Sequence, residues 1–150
     1  MNNINKKSSW DATGINAFLE EAVIPVRLAV PDGEYPMICS VWFLHDAARG
    51  ELLCVSHKDS RLIKLLTRHP HCGFEIAPNA PPYKGVRGKA DISLDPTQAR
   101  LTLERLIARY LGDGNQSLAN WLLSRADDEI VIRLKPVSIT SWDYSNRMDG

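Results

Sequence analysis

Residues 52–70 read Leu-Leu-Cys-Val-Ser-His-Lys-Asp-Ser-Arg-Leu-Ile-Lys-Leu-Leu-Thr-Arg-His-Pro, the clearest local pattern in the chain. The first four residues form an apolar run, which is typical of a buried strand. Asp59 and Ser60 are good N-cap residues, and the apolar residues that follow recur at helical spacing until Pro70. The stretch therefore predicts a strand that leads through a polar loop into a helix.

The start of this helix has the features of an anion-binding site. Helix N-termini present unpaired N–H groups and the positive end of the helix dipole. Ser56 and Ser60 add hydroxyl donors, while Arg61 and Lys64 add two positive charges. No glycine-rich loop is present, so the site is neither a P-loop nor a Rossmann turn. The alternative interpretation of the same residues is a capped amphipathic helix with a solvated basic face.

Further elements are expected on both sides of this stretch. Strands are predicted at residues 23–30, 36–45, 51–56, 72–77, 86–94 and 129–142. Helices are predicted at residues 15–22, 61–69, 95–112 and 118–123, with Asp95 as the N-cap of the third. Six strands joined mostly by hairpins predict a mainly β (α+β) fold, a six-stranded antiparallel β-barrel with peripheral helices.

Length and charge limit the classes of protein and partner. A chain of 150 residues is most simply one domain, and we expect a flexible N-terminal arm at residues 1–10 and a single domain at residues 11–150. The 18 basic and 18 acidic residues balance, which gives no reason to expect nucleic acid or an anionic membrane as a partner. Residues 1–9 lack the apolar core of a signal peptide, and we expect a cytoplasmic protein.

Cysteines and histidines give no sign of a metal site. Cys39, Cys54 and Cys72 are odd in number and lie in apolar runs, so we expect buried, reduced thiols. His69 and His71 flank Pro70 without an acidic or thiol neighbour in sequence. No metal-binding residues are predicted.

Several short strings, in their order and spacing, resemble the FMN-binding split-barrel family of pyridoxamine 5′-phosphate oxidase-like proteins. The resemblance covers most of residues 23–144. The strings are Ser-Val-Trp-Phe-Leu at 40–44, Ser56-x-x-x-Ser60-Arg61, Pro70 after the helix, Pro-Pro-Tyr-Lys-Gly-Val-Arg-Gly at 81–88 and Ser-Trp-Asp-Tyr at 141–144. The resemblance implies a split β-barrel that binds FMN in a cleft between the two subunits of a homodimer.

The resemblance also implies roles for individual residues. It predicts that Ser40, Val41, Trp42 and Phe43 run along the flavin ring and that Tyr83 and Lys84 meet the flavin from another strand. Ser56 and Ser60 would donate to the phosphate and Arg61 would pair with it. The family often has a lysine directly after this arginine, where this chain has Leu62. Lys64, one helical turn beyond Ser60, is expected to reach the same anion.

The predicted function is that of an FMN-dependent oxidoreductase acting on an unknown small molecule, with hydride transfer through flavin N5 and NAD(P)H as the other partner. No catalytic side chain is identified. Residues 142–148 do not match the arginine-rich substrate segment of pyridoxamine phosphate oxidases, so that reaction is not the first choice. The alternatives are an F420-dependent reductase, a non-catalytic flavin or haem binder, and a structural dimer whose pocket has lost its ligand.

Overall fold

The computed structural model describes residues 3–148, in which a single antiparallel sheet is accompanied by helices. The strands are β1 (Val26–Val30), β2 (Met37–Val41), β3 (Leu44–Asp46), β4 (Glu51–His57), β5 (His71–Ile76), β6 (Lys84–Asp95) and β7 (Glu129–Asp143). The helices are α1 (Ala12–Glu21), α2 (Arg61–Arg68), α3 (Ala99–Tyr110), α4 (Gln116–Ser124) and α5 (Ser145–Met148), with a 3₁₀ turn at Ala126–Asp128. No helix in residues 3–148 combines the length and apolar character needed to cross a membrane.

The sheet has seven strands, and the prediction of six was wrong. The strand order is β2-β1-β5-β6-β7-β4-β3, with every pair antiparallel. The single strand predicted at residues 36–45 is divided at Trp42 and Phe43 into β2 and β3. Its apolar run contains no glycine, proline or polar pair to mark the break, so the local pattern looked continuous.

The division of this strand determines the shape of the sheet. β2 lies at one edge of the sheet and β3 at the other, although only two residues separate them in sequence. The three steps from Val41 to Leu44 span at most roughly 10 Å. The sheet therefore curls into a half-barrel that brings its two edges together, and the fully buried Phe43 lies at the junction.

Tyr110, near the end of α3, holds this junction in place. Its hydroxyl donates to the carbonyl of Ile24 at 2.8 Å and accepts from the N–H of Phe43 at 3.1 Å. Its ring stacks on Trp42, with ring centroids 4.9 Å apart and planes only 4° from parallel. One side chain thus ties the α1–β1 connection, the β2–β3 junction and α3 together.

Apolar residues on the two faces of β4 belong to different clusters. Leu52 and Cys54 point into the barrel, which is closed on one side by α2. Leu53 and Val55 point the other way and pack against the layer formed by α3 and α4. A polar side chain near the end of β4 therefore points either to the barrel side of the sheet or to the side of α3 and α4.

The structure corrects the expected start of α3. Asp95 is the last residue of β6 rather than a helix N-cap, and its carboxylate accepts from the backbone N–H and hydroxyl of Thr97 at 2.8 and 2.6 Å. The helix begins at Ala99 instead. Gly112, at φ +55°, follows the helix in the left-handed region that glycine adopts readily, in agreement with the predicted end.

The segment before α1 lies along β7. Ile4 forms a parallel bridge with Ile139, and the N–H of Asn5 donates to the Ile139 carbonyl at 2.8 Å. The hydroxyls of Ser8 and Ser141 lie 2.6 Å apart. The flexibility of residues 1–10 stays a prediction, and residues 1, 2, 149 and 150 lie outside the described residues.

We expect Tyr110→Phe to destabilise the fold by about 1–3 kcal/mol, because it leaves buried backbone groups at the junction without their partner. The phenyl ring of the variant still stacks on Trp42, so the change in unfolding free energy reports the contribution of the hydroxyl alone. Urea unfolding followed by circular dichroism measures the change. Tyr35→Phe is the matched control, since Tyr35 is 75% exposed. Equal unfolding free energies for the two variants would contradict the role of Tyr110.

Candidate functional site

The start of α2 is built as the sequence predicted. Ser60 is the N-cap, and its hydroxyl oxygen accepts from the N–H of Ile63 at 3.1 Å. The Ser56 hydroxyl, at the end of β4, lies 2.8 Å from the Ser60 hydroxyl. The end of the strand and the start of the helix thus bring two hydroxyl groups together.

Two backbone donors complete this group. The N–H groups of Arg61 and Leu62 have no hydrogen-bond partner among residues 3–148. They belong to the first turn of the helix, where such N–H groups have no intrahelical acceptor. The Leu62 side chain is in the core and only 6% exposed, so Leu62 contributes its backbone alone. The arrangement offers hydroxyl and N–H donors to an anion at the positive end of the helix dipole.

The two predicted cations of this group are in different situations. Arg61 forms a bidentate ion pair with Asp32, whose carboxylate oxygens lie 2.7 and 2.8 Å from Nη2. This carboxylate raises the pKa of Arg61. Lys64 is exposed and makes no ion pair with any described residue. Asp32 was missed by sequence reasoning because it precedes Arg61 by 29 residues and lies in the β1–β2 turn.

Three of the four residues predicted to run along the flavin ring line a common cavity. Ser40, Val41 and Trp42 line a cavity of about 350 Å³ that α3 and α4 close from the other side. Phe43 is fully buried in the barrel core and does not line it. The cavity wall includes Val55 of β4, the residue immediately before Ser56.

Tyr83 and Lys84 lie at the start of β6, away from both of these groups. The Tyr83 carbonyl accepts from the N–H of Tyr144 at 2.9 Å, and Lys84 pairs with Asp143 of β7. Lys84 also lines a separate cavity of about 300 Å³ next to α1. Within one subunit, the predicted site residues other than the buried Phe43 therefore lie at the start of α2, in the cavity beside α3 and at the start of β6.

The three cysteine thiols are poorly suited to nucleophilic chemistry. Cys54 and Cys72 are buried, as predicted, whereas Cys39 is only half-buried. Burial raises the pKa of all three thiols, with that of Cys72 at about 12, which disfavours the reactive thiolate. No cluster of three or more histidine, cysteine or acidic residues within residues 3–148 has the geometry to hold a metal ion.

His45 is a buried titratable group close to the β2–β3 junction. Its side chain is only 1% exposed, and Nδ1 lies 3.2 Å from a carboxylate oxygen of Glu20 on α1. Nε2 is buried without a partner in residues 3–148. Burial lowers the pKa of His45, although Glu20 acts in the opposite direction. The lowered pKa favours the neutral imidazole.

Comparison with known proteins shows the fold. No protein-family model and no curated protein sequence matches the chain. The chain resembles the conserved hypothetical protein Rv2991 from Mycobacterium tuberculosis, with 16% identity, a TM-score of 0.77 and coverage of 93% of this chain and 89% of that protein. An F420 reductase matches with 17% identity, a TM-score of 0.70 and coverage of 85% and 96%.

A candidate pyridoxamine 5′-phosphate oxidase from Listeria innocua matches with 22% identity, a TM-score of 0.66 and coverage of 86% of this chain and 95% of that one. At these identities the comparisons establish a shared architecture. The chain has the split-barrel fold found in pyridoxamine 5′-phosphate oxidase-like proteins, which confirms the predicted resemblance at the level of the fold.

His45 predicts a specific loss of stability on acidification. Its pKa is lowered in the folded state, so below about pH 6.5 the unfolded chain binds more protons than the folded one. The free energy of unfolding should therefore fall as the pH drops from about 6.5 through the folded pKa. Denaturant unfolding at several pH values measures this fall, which we expect to be smaller in His45→Gln. The exposed His69→Gln variant is the control and should keep the wild-type slope.

Proposed function

We propose that this protein is an FMN-binding oxidoreductase, which works as a homodimer and exchanges hydride between a small molecule and a nicotinamide. The observation that carries the proposal is the donor set at the start of α2. The hydroxyls of Ser56 and Ser60 and the free N–H groups of Arg61 and Leu62 lie together at the positive end of a helix dipole. This is the chemistry that a phosphate monoester requires.

Two cations beside this donor set, Arg61 and Lys64, are placed to bind the same phosphate. Arg61 lies in the first turn of α2, and its present partner Asp32 is solvent-accessible, so a phosphate can compete for the guanidinium. Lys64 lies one turn further along the exposed face of the helix. A dianionic phosphate has more charge to offer Arg61 than a single carboxylate, and arginine binds phosphate well in a bidentate manner.

The chain's own contribution to the reaction is binding and orientation. When bound, FMN supplies the redox chemistry, since its N5 atom accepts or delivers hydride. Residues 37–44 contain no carboxylate, histidine or lysine, so this part of the wall offers shape and apolar contact rather than proton transfer. Trp42 is held in one orientation by its stack on Tyr110, which gives the cavity a rigid flat wall.

An F420-dependent reductase is the second candidate. It is favoured by the similarity of the fold to an F420 reductase, with a TM-score of 0.70. A visible absorption spectrum of the purified protein separates the two candidates, because flavin and deazaflavin absorb differently. A haem Soret band would contradict both and favour a haem-binding protein instead.

The proposed second subunit is supported by the outer face of the sheet. A cavity of about 570 Å³ lies on this face, formed by β1, β2, β5, β6 and β7. Its walls combine charges of both signs, such as Arg27 and Glu75, with Ile38, which is 69% exposed. An exposed apolar residue near charges of both signs suits contact with a second copy of the same surface, because a two-fold interface is self-complementary.

The phosphate assignment predicts a difference between FMN and riboflavin. We expect Arg61→Ala to weaken FMN binding about tenfold or more, because a charge-assisted hydrogen bond is lost, and to leave riboflavin binding unchanged. Asp32→Asn should strengthen FMN binding, since it releases Arg61 and removes a negative charge. Fluorescence titration measures both affinities. Arg68→Ala, in the last turn of the same helix, is the control. Unchanged FMN affinity in folded Arg61→Ala would exclude this phosphate site.

The dimer predicts a mass of twice 16.8 kDa at micromolar concentration. Ile38→Glu should shift the protein towards the monomer, because it puts a charge into the proposed contact. Light scattering coupled to size-exclusion chromatography measures the mass. Leu101→Glu is the control, since Leu101 is also exposed but lies on α3. A wild-type protein that stays monomeric, or a dimer that Leu101→Glu alone disrupts, would contradict this interface.

A further inference from the structure

The cavity beside α3 contains an acidic group that the proposed cofactor does not require. This cavity of about 350 Å³ has walls of apolar side chains, among them Val55, Leu106 and Leu122, and the indole of Trp42. Glu129, the first residue of β7, is the one ionisable side chain among the described residues that line it. Its volume lies at the lower end of the range of small-molecule pockets, roughly 300–1,000 Å³.

The carboxylate of Glu129 has one distant ion-pair partner and no hydrogen-bond donor among residues 3–148. The residue is only 9% exposed, yet its carboxylate accepts no hydrogen bond from any group in residues 3–148. The nearest cation is Arg125, whose Nε lies 4.0 Å from Oε1. The guanidinium of Arg125 lies over the ring of Trp121 instead, 4.6 Å from its centroid. The carboxylate oxygens are not among the fully buried, unpartnered atoms of the described residues, so they are open to the cavity and can accept hydrogen bonds from a ligand.

The other groups near Glu129 do not fill this role. His57 lies opposite Glu129 in the β4–β7 ladder, but its Nδ1 accepts a hydrogen bond from the N–H of Asp59 at 3.1 Å. Asp128, the preceding residue, carries the same charge as Glu129 and pairs with Lys58 at 3.2 Å. Burial raises the pKa of Glu129, which an approaching cation would reverse.

Trp42 supplies the second recognition element. Tyr110 covers one face of its indole at a centroid distance of 4.9 Å, and the indole also lines the cavity. An apolar or aromatic body in the cavity therefore meets a flat, immobilised wall. No lysine or arginine lines this cavity among the described residues, so a phosphorylated or carboxylated ligand would enter without a counter-charge.

We propose that this cavity binds a compact apolar amine, with its ammonium group on the carboxylate of Glu129 and its apolar body against Trp42. The binding site stands on its own geometry, and only the further statement that such an amine is the substrate rests on the proposed function. The ammonium group of the amine carries a positive charge and supplies N–H donors, whereas no group in residues 3–148 donates a hydrogen bond to this carboxylate. The apolar body of the amine replaces water along the apolar side chains of the walls.

Three naphthalene probes of nearly equal size test this proposal by calorimetry on the full-length protein at pH 7. They are 2-(1-naphthyl)ethylamine, the neutral 2-(1-naphthyl)ethanol and the anionic 1-naphthylacetate. We expect the amine to bind about tenfold or more tightly than the alcohol, because it forms a charge-assisted hydrogen bond, and the anion to bind most weakly. Equal affinities for the amine and the alcohol, or no binding of the amine, would overturn the proposal.

Variants assign the preference to particular residues. Glu129→Gln should remove the advantage of the amine and leave the alcohol within about twofold, whereas Trp42→Leu should weaken both probes. Glu104→Gln, an exposed acidic residue on α3, is the matched control and should change nothing. If Glu129→Gln fails to fold, Arg125→Gln replaces it: removal of the nearby cation should strengthen amine binding and leave the alcohol unchanged. If the amine still binds more tightly than the alcohol in Glu129→Gln, or if Arg125→Gln does not change amine binding, the ammonium group binds at a site other than Glu129.

The test of the amine site can be distinguished from the test of the proposed flavin-dependent function. The probes are titrated into protein without flavin, and FMN affinity is measured independently on the same variants. Glu129→Gln should bind FMN as the wild type does, because the residue is not part of the donor set at α2. If the protein binds the amine but not FMN, the amine site is supported and the proposed flavoprotein function is rejected. If it binds FMN but not the amine, only the amine site is rejected.

Discussion

The fold depends on a two-residue connection between strands at opposite edges of one sheet. Seven strands at a spacing of about 4.8 Å span roughly 29 Å when flat, which Trp42 and Phe43 cannot cross. The sheet must therefore curl until its edges meet. Tyr110 then fixes the meeting point through its hydroxyl and its ring, so a helix inserted between β6 and β7 controls the closure of the barrel.

The same closure places the candidate sites. β3 pairs with β4, and β4 leads directly into the donor set at the start of α2. Because the junction holds Trp42 next to β4, the indole and Val55 become parts of one cavity wall. The cavity and the donor set are thus consequences of the way the sheet closes, and neither could keep its geometry in an open sheet.

Local features could be predicted from the sequence, whereas features that depend on distant contacts could not. Ser60 was recognised as an N-cap because its partners lie within three residues of it. The break at Trp42 was missed because only the closure of the whole sheet requires it. Asp32 and Glu129 were missed for a similar reason. Asp32 pairs with Arg61 across 29 residues, and Glu129 faces a cavity whose walls come mainly from three strands and two helices. A search for acidic residues at strand ends would have included Glu129, together with Asp46, Glu51, Asp95 and Asp143.

Successive side chains of β4 point to opposite faces of the sheet, and the two faces differ in charge at the end of the strand. Ser56 points to the side of the barrel where the α2 donors collect, whereas Val55 and His57 point to the side of Glu129. The carboxylate of Glu129 would repel a phosphate if it lay next to the donor set, but here the sheet lies between them. The two sides can therefore attract ligands of opposite charge at the same time. The phosphate of an anionic cofactor and the ammonium group of a cationic ligand would then approach the end of β4 from different faces of the sheet.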